Sequence, residues 1–95
     1  MEKFILKYRV HAVQRMFERN ITEADILFVL TNGQIIKEYP DDTPYPSKLI
    51  TAKVKTRPLH IVYAENSGSN EIIIITVYEP DPSLWEEDFL RRKKL

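Results

Sequence analysis

The chain contains no cysteine and only two glycines. Without thiols it forms neither disulfides nor thiolate metal sites, which suits the reducing cytoplasm. Gly33 and Gly68 both lie in turn-forming contexts, so no glycine-rich loop is available to hold a phosphate. Apolar runs such as Ile72–Ile75 are far too short to cross a membrane, and the N-terminus lacks the apolar core of a signal peptide. These absences predict a cytoplasmic protein without a membrane partner.

An excess of one charge is also lacking, because 14 acidic residues balance 14 basic ones. Proteins that bind nucleic acid through bulk charge have a basic excess, so any such binding here requires a local patch. The basic residues are unevenly spaced, and a run of four, Arg91–Lys94, lies just before the last residue. The length of 95 residues predicts a single domain over residues 1–95.

The first helix is predicted over about residues 9–19. Val10, Val13 and Phe17 recur at helical spacing, with Met16 at the edge of their face, and predict a side that faces the core. The other side carries one imidazole and two guanidinium groups in a column, from His11, Arg15 and Arg19. Cationic side chains four residues apart repel one another, so such a column is typical of a helix that meets an anion. It predicts a phosphate or carboxylate partner.

Two further helices are predicted from capping boxes. The first box, Thr22–Asp25, has Asp in place of the usual Glu, and Asn32-Gly33 is a typical end for the helix that follows. The second box, Ser83–Glu86, predicts a C-terminal helix through about Arg92.

Four strands are predicted between the second and third helices. They are Gln34–Tyr39, Lys48–Lys55, a strand from Arg57 to about Ala64, and Glu71–Tyr78. Because Glu71–Tyr78 is apolar on both faces, it is expected to be the central, most buried strand. The predicted fold is an α+β domain with two N-terminal helices, a four-stranded antiparallel meander sheet and a C-terminal helix.

Three blocks of the chain resemble a widespread prokaryotic family of unknown function. The blocks are His11-Ala12-x-x-Arg15-Met16, Arg57-Pro58-Leu59-His60 and Thr76-Val77-Tyr78-x-Pro80. The resemblance covers nearly the whole chain. More distantly, the plan of helices on an antiparallel sheet is similar to the RelE and BrnT group of toxin ribonucleases. The second resemblance implies RNA as a ligand or substrate, and a cognate antitoxin or other protein as a partner.

Metal-independent RNA cleavage needs a base, an acid and cations around the phosphate. The candidate acid and base are His11 and His60, the only histidines, and Tyr78 is a candidate hydrogen-bond donor. The candidate phosphate-binding groups are the guanidinium groups of Arg15, Arg19, Arg57 and Arg91. No metal and no other cofactor is predicted, because two histidines without His-x-x-x-His spacing are too few.

Structural roles account for the same residues equally simply. His60 suits a hydrogen bond to a backbone carbonyl, and His11 suits one to a carboxylate such as Asp88. Arg15 and Arg19 suit exposed ion pairs with acids of the last helix, which contribute little to stability. Tyr78 suits a packed aromatic whose hydroxyl lies at the edge of the sheet.

Two function hypotheses therefore stand. A toxin-type ribonuclease requires His11, His60 and an arginine to converge in one open cleft. A non-catalytic protein-interaction module instead requires an exposed apolar patch or a free strand edge. The sequence specifies neither the substrate nor the oligomeric state.

Overall fold

The structure, a computed structural model, describes residues 4–94 and has five strands and two helices there. In chain order they are β1 (Ile5–Tyr8), α1 (Val10–Arg19), α2 (Glu23–Asn32), β2 (Gln34–Tyr39), β3 (Ser47–Val54), β4 (Arg57–Asn66) and β5 (Glu71–Tyr78). One sheet contains all five strands in the order β1-β5-β4-β3-β2. β1 runs parallel to β5, and the other neighbours are antiparallel.

The prediction of a four-stranded antiparallel sheet is wrong, because β1 makes it a five-stranded mixed sheet. β1 precedes both helices and pairs with β5 from Ile5 opposite Glu71 to Tyr8 opposite Ile74. Its addition gives β5 a neighbour on each side and makes β4 the central strand. The chain between β1 and β5 contains both helices and the strands β2 to β4, and it provides the long connection that a parallel pair requires.

The predicted C-terminal helix is also wrong, since no helix follows β5 as far as residue 94. The capping box does not form because Ser83 bonds Asp81 instead. The Asp81 carboxylate accepts hydrogen bonds from both the backbone N–H and the hydroxyl of Ser83. The chain then folds back on itself, and Trp85 forms an isolated bridge with Arg92. Residues 80–94, hereafter the C-terminal segment, thus form turns instead of a helix.

The α1 helix exists as predicted, but it packs through a different side. Ala12 is fully buried and Met16 packs against the core. The side expected to face the core, formed by Val10, Val13 and Phe17, lies in solvent. α1 packs against β5, and the small side chain of Ala12 permits a close approach of the helix to the sheet.

The capping box of α2 is confirmed. The hydroxyl of Thr22 accepts a hydrogen bond from the N–H of Asp25, whose carboxylate accepts one from the N–H of Thr22. The helix ends at Gly33, where φ is −79°. Glycine is required there by close approach, because a Cβ would lie 2.4 Å from the Val29 carbonyl oxygen and 2.8 Å from Cγ1 of Ile50.

The sheet has two differently covered faces. Ile50, Ile61 and Val77 lie opposite one another on β3, β4 and β5 and belong to the core under the helices. We call this side the helix-covered face. His60 is adjacent to Ile61 and so points to the opposite face, where it contacts Trp85 of the C-terminal segment. The two helices and the C-terminal segment therefore sandwich the sheet.

Candidate functional site

The two most exposed large apolar side chains of the described residues lie on α1. Phe17 is 88% exposed, Val10 73% and Val13 51%. These residues occupy one side of the helix, and we call them the α1 stripe. A single exposed apolar residue is normal, but a contiguous apolar patch is typical of an interaction site.

The cationic column on α1 forms as predicted by helical spacing. His11 and Arg19 are exposed, and Arg15 is half-buried. The predicted ion pairs with the C-terminal acids do not form: within residues 4–94, neither Arg15 nor Arg19 contacts a carboxylate. The column thus lies on the side of α1 that faces away from the α1 stripe.

His60 lies on the far side of the sheet from α1, has no exposed surface, and has partners at both ring nitrogens. Nε2 lies 2.9 Å from the carbonyl oxygen of Phe89, and Nδ1 lies 3.2 Å from the hydroxyl of Tyr78. Because a carbonyl only accepts, Nε2 carries the proton and the hydroxyl donates to Nδ1. Both ring nitrogens, through which a catalytic histidine exchanges protons, are therefore already hydrogen-bonded within the protein.

Aromatic packing completes the enclosure of the His60 imidazole. The Trp85 ring meets it edge to face with centroids 4.5 Å apart, and the Tyr78 ring does so at 5.3 Å. Burial lowers the pKa of His60, although the Phe89 carbonyl acts in the opposite direction. Burial raises the pKa of the Tyr78 phenol. Both groups are therefore neutral near pH 7.

Arg57 contacts the end of α1. Its guanidinium donates to the carbonyl oxygens of Arg19 and Asn20, which α1 leaves without helical partners. Nε also lies 2.5 Å from the Glu79 carboxylate, on the residue that follows β5. Arg57 thus joins the helix end to the sheet, and each of its three guanidinium nitrogens makes one of these contacts.

The other predicted phosphate-binding group, Arg91, lies in the C-terminal segment. It is exposed, and its guanidinium is 3.8 Å from the Asp88 carboxylate. Arg92, beside it, lies over the Trp85 ring at 5.7 Å from the centroid. The segment therefore brings cations to the opposite face of the sheet, where Tyr78 also lies.

The predicted site residues thus fall into two groups on opposite faces of the sheet. One group, at α1 and its C-terminal end, contains His11, Arg15, Arg19 and Arg57. The other group contains His60, Tyr78 and Arg91. The two histidines therefore do not share a cleft, and the individual roles given to these residues stay predictions.

Within residues 4–94, no group of three or more His, Asp or Glu side chains is arranged to hold a metal ion. The same part of the chain has no helix long and apolar enough to cross a membrane.

Two features of the candidate site were not predicted from the sequence. The α1 stripe was assigned to the core, although Ala12 and Met16, four residues apart, define a second apolar side that takes this place. The hydrogen bonds from Arg57 to Asn20 and Arg19 span 37 and 38 positions of sequence. No local sequence pattern predicts a contact at that range.

A family model described as a domain of unknown function, DUF4258, matches residues 8–79. The matched region begins at the end of β1 and contains both helices and the four strands that follow. No curated protein and no solved structure matches the chain. Since the match covers well over half of its length, the chain belongs to the DUF4258 family of domains of unknown function.

Proposed function

We propose that this domain is a non-catalytic protein-interaction module whose binding surface is the α1 stripe. The observation that carries the proposal is the exposure of Phe17, which leaves nearly the whole side chain in water. Burying a phenylalanine is worth about 1.5–3 kcal/mol, so a partner that covers it gains affinity. Aromatic residues of this kind are frequent anchors in protein interfaces.

The surroundings of the stripe support an interface. Val13 and Phe17 border a groove whose other side includes Tyr8, Ile21 and Glu23. The Tyr8 hydroxyl donates to the Glu23 carboxylate at 2.6 Å, which places a polar rim beside the apolar surface. An apolar centre with a polar rim is the usual anatomy of a binding surface.

Selection of peptides from a displayed random library tests the proposal. We expect the domain to enrich peptides that place apolar residues at i, i+3 or i+4 and i+7, because such helices complement a stripe. Binding should be lost in Phe17→Ser and kept in Ile35→Ser, a matched loss of an exposed apolar side chain on β2. Peptides that bind Phe17→Ser as well as the unmodified domain would refute the proposal.

A second candidate function is RNA binding, as in a toxin of the RelE and BrnT type, and the opposite face of the sheet favours it. Tyr39 and Tyr78 both lie on that face, and the phenol of Tyr39 adds to the raised pKa of Tyr78. Lys37 lies 5.4 Å from the centre of the Tyr39 ring. The positive charge of Arg92 acts to lower the pKa of Tyr78, against the effect of burial. Aromatic rings flanked by cations suit stacked bases and their phosphates.

Expression in bacteria, followed by measurement of growth and RNA integrity, tests this candidate. A toxin-type activity on the opposite face predicts arrested growth and fragmented RNA, both relieved by Tyr39→Ala combined with Arg92→Ala. Phe17→Ser serves as the control, since its side chain lies on the other side of the sheet. Normal growth, intact RNA and no shift of a labelled single-stranded RNA in anisotropy would remove the candidate.

A further inference from the structure

We propose that the occupant of the α1 stripe is a second copy of this chain, with the two α1 helices antiparallel about a two-fold axis. This inference rests on the proposed function and names its partner. It is argued from the positions of charged residues along α1.

The N-terminal end of α1 lacks the negative charge that its dipole favours. The N-terminus of a helix favours anions, yet the N-cap is Arg9, the first turn has no acidic residue, and no side chain caps the free N–H groups. The C-terminal end, which favours cations, already has Arg19 in its last turn and the Arg57 guanidinium on its carbonyl oxygens, and Glu18 lies beside them. By contrast, α2 has Glu23 and Asp25 in its first turn.

An antiparallel second copy supplies the negative charge that the N-terminal end lacks. Superposing the stripes in opposite directions places Val10 of one copy beside Phe17 of the other. Glu18 then approaches the uncapped N-terminus of the second helix and its His11, which projects from the same flank as Glu18. The two-fold axis repeats each contact.

A parallel arrangement lacks this complementarity. It would place Arg9 against Arg9 and Glu18 against Glu18, where like charges repel. The α1 helix has ten residues and is therefore about 15 Å long. A pair of such helices buries less than the roughly 800 Å² per partner of a standard interface, so the expected dimer is weak and concentration-dependent.

Sedimentation-velocity ultracentrifugation over a wide concentration range tests the pairing. The unmodified chain should shift from monomer to dimer as its concentration rises. Phe17→Ser should raise the dissociation constant by about tenfold or more, since it removes the largest apolar group of the interface. Ile35→Ser, on edge strand β2, is the matched control and should leave the constant unchanged. Far-UV circular dichroism of both variants confirms that the fold is kept.

Charge variants test the antiparallel direction specifically. His11→Glu and Glu18→Lys should each weaken the dimer, because each sets like or unfavourable charges against each other or against a helix end. Mixing the two single variants should restore association as a heterodimer, and combining both changes in one chain should restore the homodimer. Equal dissociation constants for all of these would overturn the antiparallel arrangement.

The outcomes separate this inference from the proposed function. A chain that remains monomeric at every concentration, yet still selects peptides in a Phe17-dependent way, overturns the second copy as partner and leaves the interaction module intact. A monomer that selects no such peptides overturns both. A dimer that Phe17→Ser leaves unchanged also overturns the inference, because association then uses another surface.

Discussion

The imidazole Nε2 of His60 donates a hydrogen bond to the carbonyl oxygen of Phe89 over 2.9 Å. Phe89 has a positive φ of 58°, a conformation that bulky side chains rarely adopt. The hydrogen bond therefore holds the C-terminal segment on the opposite face of the sheet, at a residue whose backbone conformation is itself unfavourable. It gives the histidine a structural role that is independent of any chemistry.

His60→Ala should destabilise the domain by about 2–4 kcal/mol, because it removes a packed ring and leaves the Phe89 carbonyl without its donor. Urea unfolding measures the loss, and limited proteolysis should cut first within residues 80–94. His11→Ala, at the exposed histidine, is the control and should change stability by less than about 0.5 kcal/mol. Equal effects of the two substitutions would contradict the structural role of His60.

The stability of the domain should fall as the pH drops below 6.5, the ordinary pKa of histidine. The pKa of His60 is lowered in the folded protein, so the unfolded chain binds more protons in this range and protonation favours unfolding. The contribution is complete above pH 6.5 and is lost as the pH falls towards the lowered value. Urea unfolding at pH 7.5 and pH 5.5 measures it.

The same measurement on His60→Gln isolates the histidine from the carboxylates. The glutamine does not titrate, so the stability difference between the two pH values should shrink relative to that of the unmodified chain. An unchanged difference would show that other groups cause the pH dependence.

Gly33→Ala should destabilise the domain by about 1–3 kcal/mol through overpacking. The new methyl group would lie 2.4 Å from the Val29 carbonyl oxygen, against backbone that cannot easily move. Gly68→Ala is the matched control, since its nearest neighbour there would be the Asn66 side chain at 3.5 Å. Thermal unfolding compares the two, and a similar midpoint for both variants would contradict the close packing at Gly33.

Arg57→Ala should cost about 1 kcal/mol, because it removes the donors to the end of α1 and the contact with Glu79. Hydrogen exchange should show faster opening of the last turn of α1. Arg15→Ala is the control, as Arg15 contacts no carboxylate within residues 4–94. If both substitutions leave α1 equally protected, Arg57 does not stabilise the helix end.

Local patterns predicted the elements whose stabilisation is local. The Thr22–Asp25 capping box predicts the start of α2. Alternation predicts β3 and β4, and short apolar stretches predict β2 and β5. β1 was missed because it has only four residues and pairs with β5 across more than 60 positions of sequence. No short-range pattern signals a parallel pair of this kind.

The two wrong predictions that matter most for function concern segments that offer two competing sets of local contacts. Ser83 and Glu86 resemble a capping box, but Asp81 bonds Ser83 and the Phe89 carbonyl bonds His60 instead. In α1, the stripe with the larger side chains was expected to face the core, yet Ala12 fills that position. Periodicity finds an amphipathic helix but does not say which apolar side the sheet accepts.

The most direct measurement of the interaction surface is a dilution series of two-dimensional amide NMR spectra of the unmodified chain. We expect concentration-dependent shifts at residues 9–19, centred on Val13 and Phe17, and constant positions for Lys37, Tyr39 and Tyr78 on the opposite face. Phe17→Ser should abolish the shifts. Shifts confined to β2 or to the C-terminal segment, or spectra of α1 that do not change with concentration, would contradict self-association through the α1 stripe.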